Sequence, residues 1–475
     1  MGNIEFYIYK VTLLLIFMIF FLTSCSLSGS LGNNSTGVSA ALSDSENRVI
    51  FFDKEACREA SENVENIELT VGMWVAPRAH LMKTQEEADR RFAEIKEAGI
   101  NMYYSFYEDT DDAWLDRMLK AAEKNDIDVL ISLERVAALS DIDKNLSLAR
   151  RTMEYPSVIG FNMYDEPSAS VNSLLRTQYE KLRKLVGSNK IIMCNMLPNY
   201  APHTLLGISE GSENRTVYQT YLDRFMNEVG TDALSFDFYP FQSNTKSDKE
   251  YLRNMLRNLC DIVICAREYR VPAWGFLQNS SWDVTRVPND DELRFLSHIH
   301  LVFGLKSYSY FLYAQPSDKP GGEGIFKGMI DYDGERTEIY DRVKINNEEI
   351  SGMRGRYLDY NLQGFLVDSL SSSYKSCITK NLQLDRFGPL ENIKTDCNLL
   401  IGCFENSEGL AYYVMNFGYI NEGNVSLYFN EEGSDFTVWG SNGIEQMGHA
   451  EKLEISLRKG EGKFIELKTY KNISN

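Results

Sequence analysis

From about Val71 the chain alternates short apolar or β-branched runs with longer stretches whose apolar residues recur at helical spacing, the two periods of a strand and an amphipathic helix. Eight runs read as strands: VGMWVAP from Val71, INMYYSF from Ile100, DVLISLE from Asp128, VIGFNMYDEP from Val158, KIIMCNMLP from Lys190, ALSFDFYPF from Ala233, VPAWGFLQ from Val271 and SYSYFLY from Ser307. The helices between them carry their own start and stop signals. In TQEEADRRFAEIKEAG, Thr84 and Glu87 fit a capping box, Ala88, Phe92 and Ile95 form an apolar stripe, and Gly99 stands where a C-terminal glycine belongs. Comparable stretches begin at Asp111, Ser173, Asp248 and Asp290, and a last one from Glu338 follows the eighth strand. This alternation predicts an α/β fold whose parallel sheet closes into a (β/α)8 barrel over residues 66–360. No strand is followed by G-x-G-x-x-G, so a dinucleotide loop is not expected.

After residue 361 the pattern changes. GFLVDSL, CNLLIGCFEN, LAYYVMNFG, NVSLYFN, DFTVWGS and KLEISLRKGEGKFIEL are short strands divided by Gly, Asn, Ser and Glu turns. They predict a C-terminal all-β, sandwich-like domain over residues 361–475, against which the eighth barrel helix is expected to pack. At the other end, Lys10 precedes an apolar run from Val11 to Leu22 that is too short to span a membrane and is followed by small polar residues, the layout of an export signal over residues 1–24. Residues 25–65 open on a Ser/Gly/Asn-rich stretch and read as a tether and lead-in.

The formal charge of -19 repels phosphate backbones, and no basic cluster exceeds pairs such as Arg90-Arg91, which argues against nucleic acid and for a neutral or cationic small ligand. The cysteines show no zinc-like spacing, and of the five histidines only His298 and His300 lie close together, so no metal and no cofactor is expected. Cys377, Cys397 and Cys403 could supply one disulfide in an oxidising compartment, with the pair left open.

The fourth strand, GFNMYDEPS, ends in adjacent carboxylates, Asp165 and Glu166, stopped by Pro167. In a barrel of this kind the C-terminal strand ends form the functional face, because the loops there are free of the scaffold's packing demands. Capping the next helix would account for one acid, at about 0.3 to 1 kcal/mol, and Ser168 to Ser173 already offer better caps. Other strand ends repeat the theme: Trp74, Arg78 and His80 after the first, Tyr104 and Tyr107 after the second, Glu134 and Arg135 after the third, Asn195 and Asn199 after the fifth. Asp237 and Tyr239 follow the sixth, Gln278 and Trp282 the seventh, and Tyr313 and Gln315 the eighth. Rings that stack on C–H faces, together with acids and amides that bind hydroxyls, are the mixture a sugar needs.

With YDEP at strand four, SFDFYPF at strand six, PAWGFLQ at strand seven and ELRFLSHIHLVFGLKSYSYFLY leading into strand eight, the stretch from about Val71 to Tyr360 resembles the TIM-barrel glycoside hydrolases of the β-galactosidase-like group. The all-β region resembles the accessory domain such enzymes often carry, and LTSC at Leu22 to Cys25 resembles a bacterial lipobox. These resemblances imply a lipoprotein held at the bacterial cell envelope by a lipid on Cys25, acting on an oligosaccharide or polysaccharide, with Glu166 as general acid. The residue before that glutamate is usually Asn in the group and is Asp165 here, and the place of the group's nucleophilic glutamate on strand seven holds Gln278, an amide that forms no glycosyl ester. Three readings follow. Another acid, Asp237 ahead of Glu134, activates water in an inverting reaction; the register of strand seven differs; or the barrel binds glycans without cleaving them. The leading expectation makes Glu166 and Asp237 catalytic, with Trp74, Tyr104, Glu134, Asp165, Asn195, Tyr239, Gln278, Trp282 and Tyr313 holding the sugar. The competing expectation is a non-catalytic glycan-binding lipoprotein on a glycosidase-like barrel.

Overall fold

A computed structural model describes residue 57 and residues 60–62, 64–105, 112–133, 139–212, 214–244, 247–321 and 324–468. The export signal, Cys25, most of the tether, Tyr107, Glu134 and Arg135 lie outside the described residues. Eight strands, β1 (Thr70–Met73), β2 (Met102–Ser105), β3 (Asp128–Ser132), β4 (Val158–Asp165), β5 (Ile191–Met196), β6 (Leu234–Asp237), β7 (Ala273–Gln278) and β8 (Ser307–Phe311), form a closed parallel barrel. Closure is made by β8 on β1, with Thr70 opposite Ser307 and Met73 opposite Tyr310. The helices that follow the strands in turn are α1 (Gln85–Glu97), α2 (Asp112–Lys124), α3 (Ile142–Thr152), α4 (Asn172–Val186), α5 (Val217–Glu228), α6 (Lys249–Tyr269), α7 (Asp290–Val302) and α8 (Glu338–Ser351).

Local chemistry sets the element ends. The Thr84 hydroxyl accepts from the Glu87 N–H and the Glu87 carboxylate accepts from the Thr84 N–H, and the same reciprocal box opens α5 at Thr216/Gln219 and α7 at Asn289/Glu292. Each box satisfies two N–H groups that the helix leaves unpaired. Behind α1, Gly99 takes a φ of +74°, the left-handed turn that glycine enters without strain. Strand alternation then assigns the two faces of the sheet. Tyr103 meets Phe92 of α1 edge-on at 5.8 Å, while Tyr104 turns inward to Trp74 and Phe276, at 5.2 and 5.4 Å. These three rings fill the barrel beneath the strand ends. Gly160 lets β4 lie close against β5, because a Cβ there would stand 2.2 Å from the Ile191 carbonyl oxygen.

From Asn361 the chain forms antiparallel sheets. The larger has the order β15-β14-β17-β12-β11-β9 and the smaller β10-β13-β16, with β9 (Asn361–Leu366), β10 (Leu390–Thr395), β11 (Leu399–Glu405), β12 (Gly409–Asn416), β13 (Gly423–Phe429), β14 (Ser434–Gly440), β15 (Gly443–Ala450), β16 (Lys452–Leu457) and β17 (Gly462–Lys468). Burial explains the sequence pattern of the strands. In β13 and β16 apolar residues alternate with polar ones, since Val425, Leu427, Leu453 and Ile455 face the second core and Asn424, Ser426, Glu454 and Ser456 do not. The central strands are apolar on both faces: Val414 and Ile465 belong to the core between the sheets, whereas Tyr413, Met415 and Phe464 pack toward the barrel.

The barrel side of that contact is chiefly α7, not α8 as expected. From Glu292 to Val302 every residue of α7 is buried, because the helix is covered by β7 on one side and by β11 and β12 on the other. His298 shares a 2.7 Å hydrogen bond with the Tyr413 hydroxyl, and Phe295 meets Phe417 at 5.2 Å. From α8 the contribution is Glu349, which accepts from Arg294 of α7 at 2.9 Å and from Arg458 beyond β16 at 2.8 Å. Cys377, Cys397 and Cys403 remain thiols.

Candidate active site

The register between β4 and β5 shifts between Asn162 and Asp165, so that Asp165 lies opposite Asn195. An irregularity of this kind re-aims the side chains that follow it. One residue on, the Glu166 N–H still donates to the Asn195 carbonyl at 2.7 Å, but its φ is +51°, a left-handed conformation that costs a non-glycine residue about 1 to 3 kcal/mol. The strand thus ends by turning Glu166 away from the direction Asp165 takes. Pro167 closes the turn, and its carbonyl accepts from the Tyr221 hydroxyl of α5 at 2.7 Å.

Asn195 organises the centre. Its Oδ1 accepts from the Ser235 hydroxyl at 2.9 Å, which fixes the amide so that Nδ2 donates to Asp165 Oδ1 and to Asp237 Oδ1, both at 3.2 Å. The opposite orientation would aim an oxygen at two carboxyls. Both aspartates are only 8% exposed. Burial, and then the charge of Asp165, push the Asp237 carboxyl up to about 8, against hydrogen bonds from Asn195 and Tyr239 that favour its ionised form. Glu166 is half-buried. Burial, and then the charges of Asp237 and Glu166, raise the Tyr200 hydroxyl well above its ordinary value, which sets Tyr200 within the field of both acids.

A wall of rings stands next to Asp237. Tyr239 meets Trp282 edge-on at 5.0 Å and Phe311 at 5.3 Å, and Phe326 stacks on Trp282 at 5.8 Å. On the β1 side, His80 Nε2 lies 2.9 Å from the Tyr332 carbonyl oxygen, and burial lowers the Arg78 guanidinium to about 10.

The structure therefore brings Asp165, Glu166, Asn195, Asp237, Tyr239 and Trp282 together, with Trp74 and Tyr104 below them as floor. Two expected sugar contacts are placed elsewhere. The Gln278 amide donates to the carbonyls of Phe241 and Arg286, at 2.9 and 2.8 Å, and accepts from the Phe241 N–H at 2.9 Å, so it fastens the loop after β6 instead of facing the mouth. Tyr313 is fully buried among Tyr340, Glu94 and Arg91, beneath α1 and α8. Ser235 and Tyr200 are residues that strand-end reading missed. Ser235 had a signal, since it stands two residues before Asp237 and shares its face; Tyr200 sits in a loop and had none. Ser132 and Asn162 lie side by side in the β3–β4 register, with Asn162 opposite the inward Met193, and their side chains make no hydrogen bond among the described residues.

No family model matches the sequence, and no curated protein matches it. Solved structures do. Gan42B, a GH42 β-galactosidase from G. stearothermophilus, superposes with a TM-score of 0.53 at 10% identity, over 85% of this chain and 100% of that one. An endo-β-1,4-mannanase from Thermotoga petrophila matches 84% of this chain and 99% of its own, with a TM-score of 0.41 and 10% identity. At this identity the likeness to Gan42B is one of fold.

Proposed function

We propose that this chain is a glycoside hydrolase acting on an oligosaccharide or polysaccharide at the bacterial cell envelope, held there by a lipid on Cys25. The observation that carries the reading is the acid cluster at the barrel mouth: Asp165 and Glu166 from the end of β4, and Asp237 from the end of β6, with one amide of β5 bridging the two aspartates. Glycoside hydrolysis needs one carboxyl that holds a proton for the leaving oxygen and one that is ionised to activate water or to attack. Asp237, pushed up to about 8, holds its proton at neutral pH and is poorly suited to the base role expected for it. We therefore exchange the roles, with Asp237 as proton donor and Glu166, the more exposed acid, as the second carboxylate. Asp165 assists by charge, keeping the proton on its neighbour, and the ring wall of Tyr239 and Trp282 supplies the apolar surface for a sugar face.

The test is reducing-end release from a panel of β-linked galacto-, manno- and gluco-oligosaccharides. Asp237→Asn should lower turnover by about 10² to 10⁴, and less on an aryl glycoside whose leaving group needs no proton. The wild-type rate should fall above about pH 8, where Asp237 loses its proton. Undiminished release by both Asp237→Asn and Glu166→Gln would overturn the assignment. The second reading, a glycan-binding lipoprotein, is favoured by the Gln278 amide, which leaves the end of β7 without a carboxyl; it expects saturable binding with no release. For the anchor, Cys25→Ser should move the protein from the membrane fraction to the soluble one, and retention of the full-length variant in the membrane fraction would reject the lipid.

A further inference from the structure

We infer that the junction between the barrel rim and the C-terminal sheets holds a second sugar-binding cleft, a distal subsite for the same neutral glycan chain whose reacting end lies in the mouth. The inference rests on the glycosidase reading of the mouth. A cavity of about 370 Å³ opens at this junction, and Tyr374, Tyr419, Asn398, Asn421, Lys249 and Asp396 are among the residues that line it.

Its chemistry is that of a sugar site. Tyr374 and Tyr419 are half-buried and their rings are held edge-on by Phe417 at 4.8 Å and Phe295 at 5.4 Å, so stacking on them would cost little side-chain entropy. Ile420, beside them at the lip, is 73% exposed. Polar groups are left over for hydroxyls. Asn398 gives its Oδ1 to the Ser371 N–H at 3.0 Å and keeps its amide hydrogens, while the side chains of Asn421 and Lys249 have no partner among the described residues.

The cleft also shares a wall with the mouth. The Tyr419 hydroxyl donates to Asp248 at 3.1 Å, Asp248 pairs with Arg286 at 2.9 Å, and the Arg286 carbonyl accepts from Gln278 at the end of β7. Phe241, in the loop that leaves β6 just after Asp237, lies 5.6 Å from the Tyr419 ring. A chain long enough to run over that loop from Asp237 would meet Tyr419 and then Tyr374, which a short glycoside held at the acids would leave untouched. The C-terminal module would then confer a preference for longer chains.

The experiment is calorimetric titration of the full chain with galacto-, manno- and gluco-oligosaccharide ladders from disaccharide to octasaccharide, comparing wild type with Tyr374→Ala and with Asn421→Ala combined with Ile420→Ala. The expected result is a loss of about tenfold in affinity for the longest chains and none for the shortest. The exposed double variant keeps the test sharp should Tyr374→Ala lower the melting temperature. Equal affinities of variants and wild type at every length, or an equal loss at every length, would overturn the distal subsite and leave the mouth assignment standing. Absence of binding by wild type at all lengths would overturn both.

Discussion

The Asp237 carboxyl is surrounded by a fold that disfavours its charge, and this has a consequence for stability as well as for chemistry. Its folded pKa of about 8 lies above the ordinary 3.8, so between those values the folded chain holds a proton that the unfolded chain has released. Stability from this group is therefore lost as pH rises across that window. Asp237→Asn keeps the side-chain shape and an oxygen for Asn195 and Tyr239 but cannot ionise. It should be more stable than wild type at pH 8 by on the order of a few kcal/mol, with the advantage shrinking toward pH 4. In an Asp165→Asn background the advantage should be smaller, because the Asp165 charge contributes to the shift. Thermal denaturation across pH measures both effects, and a difference independent of pH would dismiss the buried proton. At this scale the sequence shows which acids reach the mouth, since Asp165, Glu166 and Asp237 each stand at a strand end. It does not show which acid keeps its proton. That follows from the burial of Asp237 and from the Asp165 charge beside it, acting against the Asn195 amide that bonds both acids, and this juxtaposition depends on the pairing of three strands.

Gln278 illustrates what is decided between elements and is therefore harder to read along one strand. As a residue at the end of β7 it belongs to the functional rim, yet its amide satisfies three main-chain groups of the loops that leave β6 and β7. A buried donor or acceptor stripped of its partner costs about 1 to 3 kcal/mol. Gln278→Ala should accordingly lower unfolding stability by about 2 to 4 kcal/mol. Gln278→Glu is the more informative change. It replaces the amide nitrogen, whose two hydrogens go to the carbonyls of Phe241 and Arg286, with an oxygen facing both, so it should destabilise the loop and fail to create a retaining nucleophile. Chemical denaturation and a search for a trapped glycosyl-enzyme check the two parts; a stable Gln278→Glu protein that forms such an intermediate would show that the loop can release this side chain. Tyr313 teaches the same lesson from the other side, because a position past β8 says that a residue is near the rim but not whether it faces the mouth or the helices. The order of the eight strands and the box of α1, in contrast, are written locally, and Thr84 to Gly99 specify α1 from cap to stop, whereas α3 and α5 are not among the stretches singled out in the sequence.

In the whole molecule, α7 joins two cores, and the histidines it buries make the union sensitive to acid. His298 faces Tyr413 of β12, with Glu461, Arg294, Glu349 and Arg458 as its charged surroundings, while His300 stacks on Phe236 of β6 at 6.0 Å and shares its Nδ1 hydrogen bond with the Leu296 carbonyl at 2.8 Å. Burial lowers both from the ordinary 6.5 to about 4. Between those values the unfolded chain binds protons that the folded chain refuses, so stability falls as pH drops through 6.5 toward 4. Each histidine contributes a slope of at most about 1.4 kcal/mol per pH unit. Asp237 acts in the opposite sense across the whole of that range, from 3.8 to about 8, which is why the informative quantity is the change in slope on mutation. His298→Gln retains a hydrogen-bonding group for the Tyr413 hydroxyl and should remove one of the two histidine contributions between pH 4 and 6.5, at some cost in stability near neutrality from imperfect packing. His300→Gln should remove the other, and the double variant both. Unfolding free energies measured by denaturant titration at several pH values decide the matter: slopes unchanged in both single variants would mean that acid sensitivity arises elsewhere. The same junction predicts the fate of a chain cut after Tyr360. Such a chain exposes Phe295 and His298 and leaves Glu349 without Arg458 and Arg294 without the Lys459 carbonyl, so it should aggregate rather than fold, and a monomeric, cooperatively melting truncated barrel would separate what the buried face of α7 joins.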